Sequence, residues 1–129
     1  MIEADVKSGN RISAPPLAPT EPVVDLAHLA RMTLGEKSLE AEVLALFDRQ
    51  ADLLLGRMRQ VPPAAVAALA HTLKGSARGI GTWRVAEAAE MVERAAAGSN
   101  PAEVAGALER LAAAVNEAQA AIADLLAAR

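Results

Sequence analysis

The chain of 129 residues contains no cysteine and no tyrosine, and Trp83 and Phe47 are its only tryptophan and phenylalanine. Without thiols it can form neither disulfides nor thiolate nucleophiles, a composition that suits a reducing compartment. With aromatics at 2% and Ala, Leu, Glu and Arg dominating, the residues that favour strands are scarce, so helices are the default expectation. No apolar run approaches the roughly 20 residues needed to span a bilayer. A secretory leader would begin with basic residues, whereas Glu3 and Asp5 stand there, so no membrane association and a cytoplasmic location are expected. There is no basic stripe either. Thirteen Lys and Arg against 16 Asp and Glu are scattered to a net charge of −3, which argues against nucleic acid as a partner. No His, Asp or Glu cluster has metal-ligand spacing, and no glycine-rich nucleotide loop is present, so neither metal nor cofactor is expected.

What is present is apolar content of 53%, enough for one domain with a real core in a chain of this length. Residues 1–20, with Gly9, Asn10, Pro15, Pro16 and Pro19 and little apolar periodicity, read as a disordered tail. The remainder, 21–129, reads as the folded domain. A short first helix carries Leu26, Leu29, Ala30 and Thr33 and stops at Gly35. A long second helix from about Glu36 to Gln60 shows Leu39, Val43, Leu46, Phe47, Leu54, Met58 and Val61 as its apolar face. Pro62 and Pro63 end it and suit the first turn of a third helix, whose Val66, Leu69, Leu73, Ala77 and Ile80 face inward until Gly79 and Gly81. Thr82 is the expected N-cap of a fourth helix with Val85, Ala88, Ala89, Val92 and Ala96 inward, broken by Gly98 and Ser99. Asn100, Pro101 and Glu103 form a strong start signal for the last helix. Its Val104, Leu108, Leu111, Val115, Ala118, Ile122 and Leu125 follow the four-three repeat of bundle packing. Short links favour antiparallel neighbours, so the expected fold is all-α: an up-and-down four-helix bundle with a short extra N-terminal helix. Since one bundle core uses all these stripes, a monomer is expected.

On a projection of the third helix, the apolar set clusters within about 60° of arc and His71 lies roughly 160° from its centre. His71 therefore points to water. Ala64, Ala67, Ala68, Lys74, Gly75 and Arg78 share its face, which is a surface of small side chains around one histidine with two cations. A mid-helix glycine costs about 1 kcal/mol relative to alanine, so Gly75 calls for a reason, and close approach by a partner's backbone supplies one. A solvent-exposed imidazole, with an ordinary pKa of about 6.5, is mostly neutral in the cytosol and keeps a ring nitrogen able to attack phosphorus. Lys74 and Arg78 can stabilise charge on transferring oxygens. Ser76, at the edge of the core face, is expected to bond back to the Thr72 carbonyl. Glu87, Glu90 and Glu93 read as solvated positions on the fourth helix, His28 as a structural or rim residue, and Trp83 as core or cap packing.

The run His71-Thr72-Leu73-Lys74-Gly75-Ser76-Ala77-Arg78-Gly79-Ile80-Gly81 closely resembles the signature of histidine-containing phosphotransfer (HPt) domains of bacterial multistep phosphorelays. The segments Leu39 to Phe47 and Val85 to Arg94 resemble the flanking bundle helices of that family, and the likeness covers about residues 22–127. It implies phosphorylation on Nε2 of His71, with Lys74 orienting the phosphoryl group, Gly75 leaving room for the partner and Ser76 making a helix hydrogen bond. It also implies receiver domains of a hybrid sensor histidine kinase and of a response regulator as partners, with Mg²⁺ supplied only in those receivers. Thr82 and Trp83 stand where such domains more often have Ala and an aliphatic residue, and Arg78 adds a second cation to the face. A histidine kinase would need an ATP-binding domain that this sequence lacks. A non-catalytic adaptor using the same small-residue face to bind a receiver domain is the alternative reading.

Overall fold

The computed structural model describes residues 22–98 and 100–128, and the tail expected over residues 1–20 lies outside them. Among the described residues there are five helices and no strand: α1 (Leu26–Met32), α2 (Lys37–Met58), α3 (Pro63–Ile80), α4 (Trp83–Ala97) and α5 (Pro101–Ala127). Consecutive long helices pack side by side, and α5 closes the ring on α2, while α1 lies against α3. This is the up-and-down four-helix bundle with one short N-terminal helix.

The helix ends follow local chemistry. Asn100 accepts from the amides of Ala102 and Glu103 at 3.0 and 3.4 Å, which satisfies two of the free donors that start α5, and Pro101 occupies the first turn, where a missing N–H costs nothing. At the end of α3 the Thr82 amide donates to the Ala77 carbonyl at 3.0 Å and the Gly81 amide to Arg78 at 3.3 Å, a Schellman turn that requires Gly81 at φ +83°. Thr82 does precede α4, but its hydroxyl makes no cap bond. It is fully buried without a partner among the described residues, because the turn points it into the bundle instead of along the α4 axis.

Gly81 has a second duty. Its carbonyl accepts from the Asp25 amide at 2.9 Å, and a Cβ at this position would sit 3.0 Å from both Asp25 Cβ and the Asp25 carbonyl oxygen. Asp25 in turn caps α1 through the His28 amide at 3.0 Å and accepts from Trp83 Nε1 at 3.1 Å, contacts that hold its carboxyl below the ordinary carboxylate range. Replacing Gly81 with Ala is expected to cost about 2 kcal/mol, from a left-handed backbone that L residues resist and from displacement of the α1 junction. Denaturant unfolding followed by Trp83 fluorescence measures this; an unchanged midpoint would show that the junction yields freely.

The core is centred on Leu29, Leu44, Met58, Leu73, Leu111 and Ile122, and the α5 seam lies where the four-three repeat puts it except that Leu125 is only half-buried. On the other helices the seam is shifted. In α2 the buried line is Glu40, Leu44, Phe47, Ala51, Leu54 and Met58, whereas Leu46 is 57% exposed and Leu39 and Val43 are half-buried. The displacement arises because Glu40 and Ala51 complete the seam and neither looks apolar and large in sequence. Buried Glu40 is tolerated because it meets Thr33 Oγ1 at 3.5 Å and Lys37 Nζ at 3.6 Å. Likewise Ala70 replaces Leu69 as the deep residue of α3, Ala86 replaces Ala88 in α4, and Leu26 of α1 is largely exposed. Small side chains at Ala70 and Ala77 of α3 and at Ala86 and Ala89 of α4 let these two backbones approach closely along their length. That approach sets the geometry of the site.

Candidate functional site

His71 stands in the middle of α3 with its side chain 69% exposed, as the helical projection required. Around it Ala64, Ala68 and Gly75 are exposed and Ala67 is half-buried. Among the described residues a Cβ on Gly75 would meet nothing within 4 Å, so no packing among them demands glycine there.

The imidazole is not free. Its Nδ1 lies 3.0 Å from Glu93 Oε2, across the α3–α4 interface. The other oxygen of that carboxylate, Oε1, is 2.6 Å from Lys74 Nζ. Glu93 therefore spans the histidine and the lysine one turn beyond it, with an oxygen for each. The Lys74 ammonium, and secondarily the His71 ring, hold the Glu93 carboxyl below its ordinary value against the opposing effect of burial, so Glu93 is ionised. An ionised carboxylate can only accept. Nδ1 must then carry the ring proton, and in the neutral ring the lone pair is left on Nε2 of a side chain that is 69% exposed. This assignment of tautomer comes from the partner's chemistry.

Glu93 is a site residue that sequence alone does not reveal, since all three acids of α4 read as solvated positions. Only Glu87 is exposed and outside any ion pair among the described residues. Glu90 Oε1 lies 3.4 Å from Arg78 and its Oε2 lies 2.7 Å from Arg94. The pairing runs antiparallel, with His71 and Lys74 facing Glu93 while Arg78 further along α3 faces Glu90 earlier in α4. A signal existed in the complementary spacing of those charges on two successive helices joined by a tight turn, but using it required the register between them.

Lys74 is placed differently from expectation. Helical projection set it on the solvent face beside His71, yet its side chain is only 14% exposed, because the ion pair draws it down against α4. Ser76 is half-buried and makes no side-chain hydrogen bond among the described residues, so the back-bond expected of it is absent. Thr72 makes such a bond instead, its hydroxyl donating to the Ala68 carbonyl at 3.2 Å, since its own position on the outer face leaves that carbonyl within reach. His28 sits half-buried with its ring edge-on to Trp83, centroids 4.9 Å apart, and its Nε2 is shielded from solvent without a partner among the described residues. Trp83 is 40% exposed and serves as a junction between α1 and α4.

Among the described residues no group of three His, Asp or Glu is placed to hold a metal ion, and no helix is long and apolar enough to cross a membrane. The arrangement thus offers one outward nucleophilic nitrogen, a carboxylate that fixes its tautomer, two nearby cations and a surface of small side chains on which another molecule can rest.

No curated protein sequence matches the chain. Among solved structures it is similar to a rice protein described as a candidate histidine-containing phosphotransfer protein, with 20% identity over 78% of this chain and 79% of that one and a TM-score of 0.67, which establishes likeness of fold. The Hpt domain family model matches residues 37–127, beginning at the first residue of α2 and running through the last of α5. The chain therefore belongs to the Hpt domain family, the histidine phosphotransfer domains of phosphorelays.

Proposed function

We propose that this chain relays a phosphoryl group between aspartates of receiver domains, one in a hybrid sensor histidine kinase and one in a response regulator, through a phosphohistidine at Nε2 of His71. The observation that carries this reading is the Nδ1 contact to Glu93, because it leaves the lone pair on Nε2. In the forward step that lone pair forms an N–P bond while the P–O bond to the donor aspartate breaks, returning a free carboxylate. No proton has to move. The ring becomes cationic as the N–P bond forms, and the Glu93 carboxylate at Nδ1 stabilises the charge where it develops. Transfer to the second receiver reverses these events, so direction is set by which partner arrives charged.

The other residues take supporting roles. Lys74 acts through Glu93, keeping the carboxylate ionised and aimed. Ala64, Ala67, Ala68 and Gly75 form the low surface that lets a receiver's acidic pocket reach the imidazole, and Arg78 borders it. The reading assigns no resident cofactor to this chain and places Mg²⁺ in the receivers. It makes the chain a phosphoryl carrier without autokinase activity that works as a monomer in the cytoplasm.

The test is incubation of the full chain with receiver domains carrying labelled aspartyl phosphate. Acid-labile, alkali-stable label should appear on the chain and pass to a second, unlabelled receiver. Binding to receivers without any transfer of label would support the adaptor reading in its place, and label acquired from ATP alone would make the protein a kinase.

A further inference from the structure

The two cations beside His71 are held in different ways, and we infer that Arg78, not Lys74, grips the phosphoryl group as it passes to and from Nε2. This inference rests on the reading of His71 as the phosphoryl acceptor. Lys74 is already committed: its Nζ is 2.6 Å from Glu93 Oε1, an oxygen closed off from solvent with no other polar partner among the described residues. Swinging Lys74 toward a phosphoryl group would strand a shielded carboxylate oxygen and loosen the group that orients the imidazole.

Arg78 carries no such obligation. Its side chain is 55% exposed and its contact with Glu90 is long, at 3.4 Å, while Glu90 is held independently by Arg94 at 2.7 Å through the other oxygen. When Arg78 leaves, Glu90 keeps a cation and nothing buried is left unpaired. Exposed pairs of this kind are also weak, so little opposes the exchange.

Reach and direction agree. Arg78 is seven residues beyond His71, which places it about 10 Å along the axis and roughly 20° away around it. Side chains on a helix lean toward its N-terminus, so the long arginine stem leans back toward the turn that carries His71. Throughout transfer the donor P–O bond breaks as the N–P bond forms, and charge remains on the three non-bridging oxygens. The guanidinium fork can donate to two of those oxygens at once.

The experiment uses the full chain with phosphoramidate as a small phosphoryl donor, so that no partner surface intervenes. Phosphohistidine is followed by ³¹P NMR, and the His71 tautomer is read separately from imidazole ¹⁵N shifts. Arg78→Ala is expected to slow loading about tenfold with the tautomer signature unchanged, an effect that shrinks at high salt, and Arg78→Lys is expected to restore part of the rate. Lys74→Ala is expected to change the tautomer signature. Loading of Arg78→Ala at the wild-type rate would overturn the assignment, as would loss of loading in Lys74→Ala with an intact tautomer. If the wild-type chain formed no phosphohistidine at His71, the acceptor reading itself would fall and this assignment with it. Normal loading that ignores Arg78 removes only the assignment.

Discussion

Replacing His71 with Gln is expected to abolish phosphoryl acceptance completely while leaving the bundle folded. The side chain is 69% exposed and its one side-chain hydrogen bond among the described residues is to Glu93, so its removal deletes no core packing. Stability should change by about 0.5 kcal/mol or less, the usual range for surface positions. Chemistry is a different matter, because the amide nitrogen of glutamine has its lone pair delocalised into the carbonyl and cannot attack phosphorus. The only other histidine offers no substitute: His28 is half-buried against Trp83, and its Nε2 is shielded from any phosphodonor. Label transferred from a phosphorylated receiver should therefore be absent from the His71→Gln protein, whose circular dichroism and unfolding midpoint match the parent. Label that persists in a folded His71→Gln chain would place the acceptor elsewhere.

The second large effect belongs to Glu93, on a different helix from the motif. Glu93→Ala is expected to lower the rate of phosphoryl acceptance about a hundredfold, the scale seen when an orienting carboxylate or a preorganised charge is lost from a reactive histidine. Two losses combine. The proton is no longer held at Nδ1, so part of the population carries it on Nε2 and has no lone pair to offer. The cationic ring that forms during attack also loses its counter-charge. Glu93→Gln should fall between the two, since its amide oxygen can still accept from Nδ1–H but brings no charge. Imidazole ¹⁵N shifts of the three proteins should rank in the same order as their rates; a Glu93→Ala protein with parental rate and parental tautomer would remove Glu93 from the mechanism.

The same carboxylate imposes a pH dependence with a definite sign. Lys74 lowers the Glu93 pKa in the folded chain below its ordinary value of 4.5, so the unfolded chain binds the proton more readily. The clamp therefore contributes stability that is fully present above the ordinary value and is lost as pH falls through the lower, folded value. Unfolding midpoints of the parent and of Glu93→Gln should differ at about pH 6 and converge on acidification below the ordinary carboxylate range. A gap that widened toward acid would mean that the ion pair to Lys74 is not its source.

How much of this could be read along the chain differs from residue to residue. Asn100 and Pro101 announce the start of α5 because capping involves residues within one turn of each other. Gly81 announces the end of α3 because a left-handed backbone is a property of the residue itself. The exposure of His71 follows from the position of Val66, Leu73, Ala77 and Ile80 on the same helix. By contrast, the α2 seam was displaced toward Leu46 because Glu40 and Ala51, which complete it, do not announce themselves as core. Glu40 is buried beside Thr33 and Lys37, and neither contact is implied by its own side chain.

The site divides along the same line. By itself the sequence determined an all-α bundle, an outward histidine in the middle of its third helix, small neighbours around it and two cations one and two turns beyond, because each depends on spacing within a single helix. Only the tertiary structure decided what those groups do to one another. Bringing Glu93 to 3.0 Å from Nδ1 and 2.6 Å from Nζ depends on the distance and register between α3 and α4. These are set by the volumes of Ala70, Ala77, Ala86 and Ala89 packed between two helices and by the turn at Gly81. No periodicity within one helix contains that information, so the difference between Lys74, held on the carboxylate, and Arg78, whose partner Glu90 is also held by Arg94, appears only when the helices are packed.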